Sequence, residues 1–466
     1  MQLSIAPLRR SFLALLLLAG CADSGGPGSD GGTNGGGDGG PGADGSTDPG
    51  GSFPKRFLVA TVETGNTGFQ PSIARAPDGT LGIAYLRQAG NAPCANSPDG
   101  QPMAILDVMY TSSPDGETWS APELVGTAQL VSMAGVAVAF DDQSRPAIAW
   151  MGGPSDLMRM RCGASDLELS RKMGASWTTV MADDDGVATP VFAEDVAACA
   201  AAQNYCNFAS GVQGVVGLWP AMVYQDGDFA ITYRDIHQGI AQDDEQKSDL
   251  ELTWNGQFMT IDATWGGGNF SQIVGAPGNK LYVAHYRRQS DIGIWLQKYD
   301  GSAWSRQWLS REDLVGYKLS LAAFGEKVAL AYHASGDQKL RYIESADGTT
   351  WGTEVTVDQS GNTGRSPSLA FSPTGLAAIS YHHCGDYDPN AMNCPQDQDA
   401  LRYALFEGGR WRYVDAVESR GGVDGEYTSM TFNSQGMPVI AFQATFFDPI
   451  ENRVDRQLRV ARGVNE

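Results

Sequence analysis

Apolar residues in this chain come in short runs, broken every few positions by Gly, Pro, Asn or Asp-Gly, and the runs come in pairs. One unit recurs seven times: a short apolar strand, a turn, then a second strand closing on a small residue and, usually, an aromatic one. It reads PSIARAPDGTLGIAY (71–85), GVAVAFDDQSRPAIAW (135–150), PAMVYQDGDFAITY (220–233) and SQIVGAPGNKLYVAH (271–285). It continues as LSLAAFGEKVALAY (319–332), PSLAFSPTGLAAISY (367–381) and SMTFNSQGMPVIAF (429–442). The closing residues are Tyr85, Trp150, Tyr233, His285, Tyr332, Tyr381 and Phe442, and their shortest separations are 47, 49 and 52 residues. Two more strands around a tight Gly turn follow the units, as in LRYALFEGGRWRYVDAV. Alternation interrupted by Asp-Gly turns is what a hairpin requires. Four strands per unit at a period near 50 predict an all-β fold, a seven-bladed propeller spanning 54–466.

The seventh unit stops one strand short, after QLRVARG. The opposite end of the folded part supplies a lone strand, FLVATVE (57–63), similar to the segment VTVD (355–358). Each is followed by nearly the same phrase: TVETGNTGFQPSIA from Thr61 and TVDQSGNTGRSPSLA from Thr356. The phrase therefore reads as one inter-blade link used before blade 1 and before blade 6. The N-terminal strand is expected to complete the last blade and remove its free edge.

The first twenty residues belong to no blade. Arg9 and Arg10 precede the apolar run LALLLLAG, the pattern of a secretory signal too short to span a bilayer. The run ends in Leu18-Ala19-Gly20-Cys21, which resembles the lipobox of bacterial lipoproteins. The resemblance implies acylation of Cys21 and, with Ala22 next, an outer-membrane location in the cell envelope. Each buried CH₂ of an acyl chain would contribute about 0.8 kcal/mol to membrane anchoring. Residues 21–53 are almost wholly Gly, Asp, Ser, Thr and Pro and are expected to be a disordered tether reaching roughly 30 Å.

Removing Arg9 and Arg10 takes the formal charge from −22 to −24, which argues against nucleic acid as a partner. Seven Cys less Cys21 leave six, an even number suited to an oxidising compartment. Cys199 with Cys206 and Cys384 with Cys394 close short loops, leaving Cys94 and Cys162 as the third pair.

The segments Ser113-Pro114-Asp115-Gly116-Glu117-Thr118-Trp119 and Ser345-Ala346-Asp347-Gly348-Thr349-Thr350-Trp351 resemble the Asp-box, or BNR repeat, of sialidase-like propellers. The resemblance implies that Ser113, Asp115, Gly116 and Trp119, with Ser345, Asp347, Gly348 and Trp351, are structural. It also implies that they lie on the face away from the ligand.

The longer insertions follow second strands or sit between blades, at 86–103, 151–165, 183–218, 234–248, 382–400 and 443–456. Loops gathered on one face of a rigid scaffold are where binding residues collect. Candidate ligand residues are those at or just past second-strand ends: Arg87, Arg234, Asp235, His237, His285, Arg287, His333, His382 and His383. Arginine and imidazole at a pocket mouth suit an anionic or sugar-like ligand. Asp386, Asp388, Asp397 and Asp399 in HHCGDYDPNAMNCPQDQD could hold Ca²⁺, or could simply be solvated charge.

Three functions fit these residues. The first is a lipid-tethered monomer recognising a glycan or envelope protein, and the second is a glycoside hydrolase or lyase. The third is a structural subunit of an envelope complex. Sialidase chemistry is not expected, because Phe69-Gln70-Pro71-Ser72-Ile73-Ala74-Arg75 lacks the arginine that the sialidase pattern carries before its proline. Glu194, Glu426-Tyr427 and Glu451 are acidic positions on the inserted face.

Overall fold

The computed structural model describes residues 53–92, 103–129, 134–152, 165–183, 188–195, 215–236, 248–264, 266–288, 291–311, 318–385, 399–418, 422–448 and 453–465. The signal, almost all of the tether, and Cys21, Cys94, Cys162, Cys199, Cys206, Cys394, His237, Asp386, Asp388 and Asp397 lie outside these. The strands form seven antiparallel four-stranded sheets, each counted here from its inner strand outward. Blade 1 runs Thr67–Arg75, Leu81–Ala92, Met103–Ser113, Glu123–Gln129. Blade 2 is Val136–Phe140, Pro146–Gly152, Asp166–Met173, Ser176–Asp183, and blade 3 is Val215–Gln225, Asp228–Ile236, Ser248–Trp254, Gln257–Asp262. Blade 4 comprises Asn269–Ala276, Lys280–Arg287, Gly293–Tyr299, Trp304–Ser310; blade 5 comprises Leu319–Phe324, Lys327–Ala334, Lys339–Ser345, Val355–Asp358. Thr363–Phe371, Ala377–His383, Ala400–Glu407 and Arg410–Glu418 make blade 6. Gly422–Phe432, Pro438–Asp448 and Arg453–Val464 begin blade 7, and Arg56–Thr64 completes it.

That completion is the closure read from the sequence. Arg56 pairs with Val464 and Thr64 with Gln457, antiparallel, around one bulge. Inner strands of successive blades pack side by side around the axis, and blade 7 returns to blade 1. The core is accordingly not central but divided into seven clusters, each shared by neighbouring blades. One joins Ile73, Ile83 and Tyr85 of blade 1 to Val439, Ala441 and Leu458 of blade 7.

Two features differ from the sequence expectation. The insertions of blades 1 and 7 are partly strand, because the ladder continues to Ala92 with Met103 and to Asp448 with Arg453. Blade 3 gains a fifth, two-residue strand, Thr189–Pro190, pairing parallel with Met259–Thr260 on its outer edge.

Four serines tie the inner ring together. The hydroxyls of Ser320, Ser368, Ser429 and Ser72 accept the backbone N–H groups of Leu369, Met430, Ile73 and Val138, at 2.9 to 3.1 Å. Each bond crosses to the next blade, and together they run unbroken from blade 5 through the closure to blade 2.

Candidate functional site

The Asp-box residues act as turn caps. Asp115 Oδ1 accepts the N–H groups of Glu117 and Thr118, and Asp347 Oδ1 those of Thr349 and Thr350. These bonds hold both carboxyls below the ordinary carboxylate value, Asp347 at about 2. Ser113 and Ser345 each donate to the same oxygen. Trp119 and Trp351 pack on the cores between blades 7 and 1 and between blades 4 and 5.

Several second-strand ends hold neighbouring blades together. A carboxylate at the end of an outer strand is gripped by the residue that closes the second strand of the following blade. Asp358 Oδ2 accepts from the Tyr381 hydroxyl at 2.9 Å, from Thr363 at 3.1 Å and from Arg402 at 2.8 Å. Asp262 does the same with His285 at 2.9 Å, Arg287 at 2.7 Å and Gln297 at 2.8 Å, and Asp183 with Tyr233. The repeated phrase is the link form of this clamp. Glu63 occupies the position of Asp358, accepting from Thr67 at 2.8 Å and from Arg87 at 3.0 Å. His285 is wholly buried; Gly268 N–H donates to its Nδ1 at 3.1 Å, and burial holds the imidazole below its ordinary pKa.

None of Arg87, Arg234, Asp235, His285, Arg287, His333, His382 and His383 lines the axial cavity. All but Arg87 are buried. His382 Nε2–H donates to Asp399 Oδ1 at 2.7 Å, with Asp424 and Arg459 3.4 Å apart beside them. An acid and an imidazole are at bonding distance there, yet His382 is 4 % and Asp399 3 % exposed. Asp399 Oδ1 is thereby committed to an imidazole, while its Oδ2 is buried without a hydrogen-bond partner. Among the described residues no group of three or more His, Cys, Asp or Glu is placed to hold a metal ion. Cys384 is disulfide-bonded, its partner lying outside the described residues.

The cavity itself, about 430 Å³, follows the propeller axis and is lined by inner strands of all seven blades. At the end where inner strands begin, five blades repeat one backbone device. Gly68, Gly217, Gly268, Gly364 and Gly425 have positive φ. Two residues later Gln70, Trp219, Phe270, Ser366 and Tyr427 also have positive φ, between 45° and 55°. The strand register slips at each of these points. Left-handed backbone is unfavourable for bulky side chains, by about 1–3 kcal/mol each, and persists only where the surrounding structure over-determines it. Gln70, Trp219 and Phe270 line the cavity, with the Trp219 and Phe270 rings 4.6 Å apart, and the Arg234 guanidinium lies 5.5 Å from the Trp219 ring. Lys318, immediately before the inner strand of blade 5, lines it too and sits 5.4 Å from the Tyr427 ring. Among the described residues no Asp or Glu lines it.

Sequence reasoning missed this mouth although a signal was present: TGFQPS, GLWPA, GNFSQ, TGRSPS and GEYTS share a Gly followed three positions later by Pro, Ser or Thr.

No protein-family model matches the chain, and no curated protein matches it. Several solved structures have a similar backbone fold. The NanB sialidase of Streptococcus pneumoniae aligns over 90% of this chain and 71% of its own at 12% identity and a TM-score of 0.45. A protein of unknown function from Dyadobacter fermentans aligns over 88% and 99% at 10% identity and a TM-score of 0.44. The fucose-specific lectin of Aleuria aurantia aligns over 75% and 95% at 11% identity and a TM-score of 0.43. Likenesses this distant assign neither ligand nor reaction.

Proposed function

We propose that this chain is a recognition propeller, carried from lipidated Cys21 on the Gly-rich tether at a bacterial outer membrane, and that its axial mouth binds a glycan. The observation that carries the reading is the composition of the mouth. Two aromatic side chains, Trp219 and Phe270, line a cavity of about 430 Å³ together with Gln70 and Lys318, and among the described residues no carboxylate lines it. Aromatic faces with a few polar groups are what a sugar ring requires: apolar C–H surface on one side, hydroxyls on the other. Hydrolysis of a glycosidic bond would call for two carboxyl groups about 5 to 9.5 Å apart at the ligand, and the buried His382–Asp399 pair does not line the cavity.

The test is a glycan array probed with the protein and with Trp219→Ala. We expect a defined set of bound oligosaccharides and roughly tenfold weaker binding by the variant. Binding that survives Trp219→Ala unchanged would place the ligand elsewhere. An array without any hit, followed by capture of one stoichiometric envelope protein, would replace the glycan with a protein partner.

A further inference from the structure

We propose that the axial mouth receives the anionic group, a carboxylate or a sulfate, of an acidic glycan. This rests on the glycan reading above and names its chemical class.

The chain carries 54 acidic residues against 32 Lys and Arg, so a cation in it would ordinarily find a carboxylate close by. Lys318 finds none. Its one contact with a charged or aromatic group among the described residues is the face of Tyr427, at 5.4 Å. Burial by the surrounding strands alone brings its amine down to about 8, and no neighbouring charge takes part. An ammonium taken from water without a counter-charge is costly, and an arriving anion removes that cost. Tyr427 offers no competing charge, because burial, and after it Glu426, raises its phenol.

A second group in the same cavity independently asks for a ligand. Gln70 is 3 % exposed, held at φ 50°, and its side-chain Oε1 has no hydrogen-bond partner. A buried acceptor left unpaired costs about 1–3 kcal/mol. A sugar hydroxyl donating to it would recover that cost. One mouth therefore presents a cation without an anion, an acceptor without a donor, and two aromatic faces. A neutral sugar would answer the second and third of these; an acidic sugar answers all three. Arg75 lines the far end of the same cavity.

The experiment is calorimetric titration of the protein with trigalacturonate, its methyl ester and a κ-carrageenan tetrasaccharide, repeated on Lys318→Met and Lys318→Arg. We expect the acidic sugars to bind roughly ten- to a hundredfold more tightly than the ester. Lys318→Met should abolish that preference and Lys318→Arg should keep most of it. Trigalacturonate alone binding would identify the carboxylate as the source, and the carrageenan alone the sulfate. Equal binding of acid and ester, or a preference that survives Lys318→Met, overturns the proposal while leaving the glycan reading intact. Neutral array hits with no acidic binder would do the same. Failure of every sugar, on the array and in solution, overturns both.

Discussion

Residues with the strongest chemistry in this chain are mostly committed to holding blades together. His333 and His383 illustrate it. Burial, helped by Arg365 in one case and Arg402 in the other, brings their imidazoles from the ordinary 6.5 down to about 4. The folded chain keeps both neutral, whereas the unfolded chain takes up protons below about 6.5. Their contribution to stability is therefore complete above 6.5 and is lost as pH falls toward 4. His333, 1 % exposed, should carry the larger share, on the order of 2 kcal/mol. Melting temperatures recorded from pH 7 to pH 4 should fall, and His333→Gln/His383→Gln should make that decline shallower. An identical slope in the double variant would show that these imidazoles titrate normally. The histidines were legible as a cluster at strand ends, but whether a strand-end side chain faces the axis or the neighbouring blade depends on local twist and register. Composition carries no trace of that choice.

Inner strands behave as a coupled set of elements. Ser429→Ala removes the acceptor of the Ile73 N–H across the blade 7 to blade 1 junction. An unpaired N–H there should cost about 1 kcal/mol, seen as a lower denaturation midpoint with an unchanged slope. Gly68→Ala should cost more, about 2–3 kcal/mol. Its φ is +82°, and an added Cβ would lie 2.8 Å from the backbone N and Cα of Leu458. If Ser429→Ala proved as damaging as Gly68→Ala, the hydroxyl would matter through something other than this one bond. The alternation of apolar positions predicted these strands closely. The bulges that start them were encoded in Gly-x-x-Pro, Ser or Thr, a pattern whose meaning emerges only when five copies are seen to converge on one axis.

At the scale of the whole molecule, closure depends on Arg56–Thr64 pairing with Arg453–Val464. Deleting residues up to Thr64 should expose the edge of Arg453–Val464 and lower the melting temperature by several degrees, with oligomers on gel filtration. A chain beginning at Phe53 should match the full chain. A peptide spanning Lys55 to Gly65, added in excess, should restore part of the loss. Unaltered melting of the truncated chain would mean that the ring holds without its latch.

The amino-acid sequence by itself determined the strands, their grouping into seven blades, the Asp-box turns and the N-terminal closure. These follow from local periodicity and turn chemistry repeated many times, so each copy reinforced the others. Only the tertiary structure decided which polar residues meet. Asp358, Tyr381 and Arg402 form one clamp across two blades, and Gln70, Trp219, Phe270 and Lys318 stand at one mouth although 248 residues separate the first from the last. Proximity across a ring is set by how blades pack against one another, and no stretch of sequence contains that.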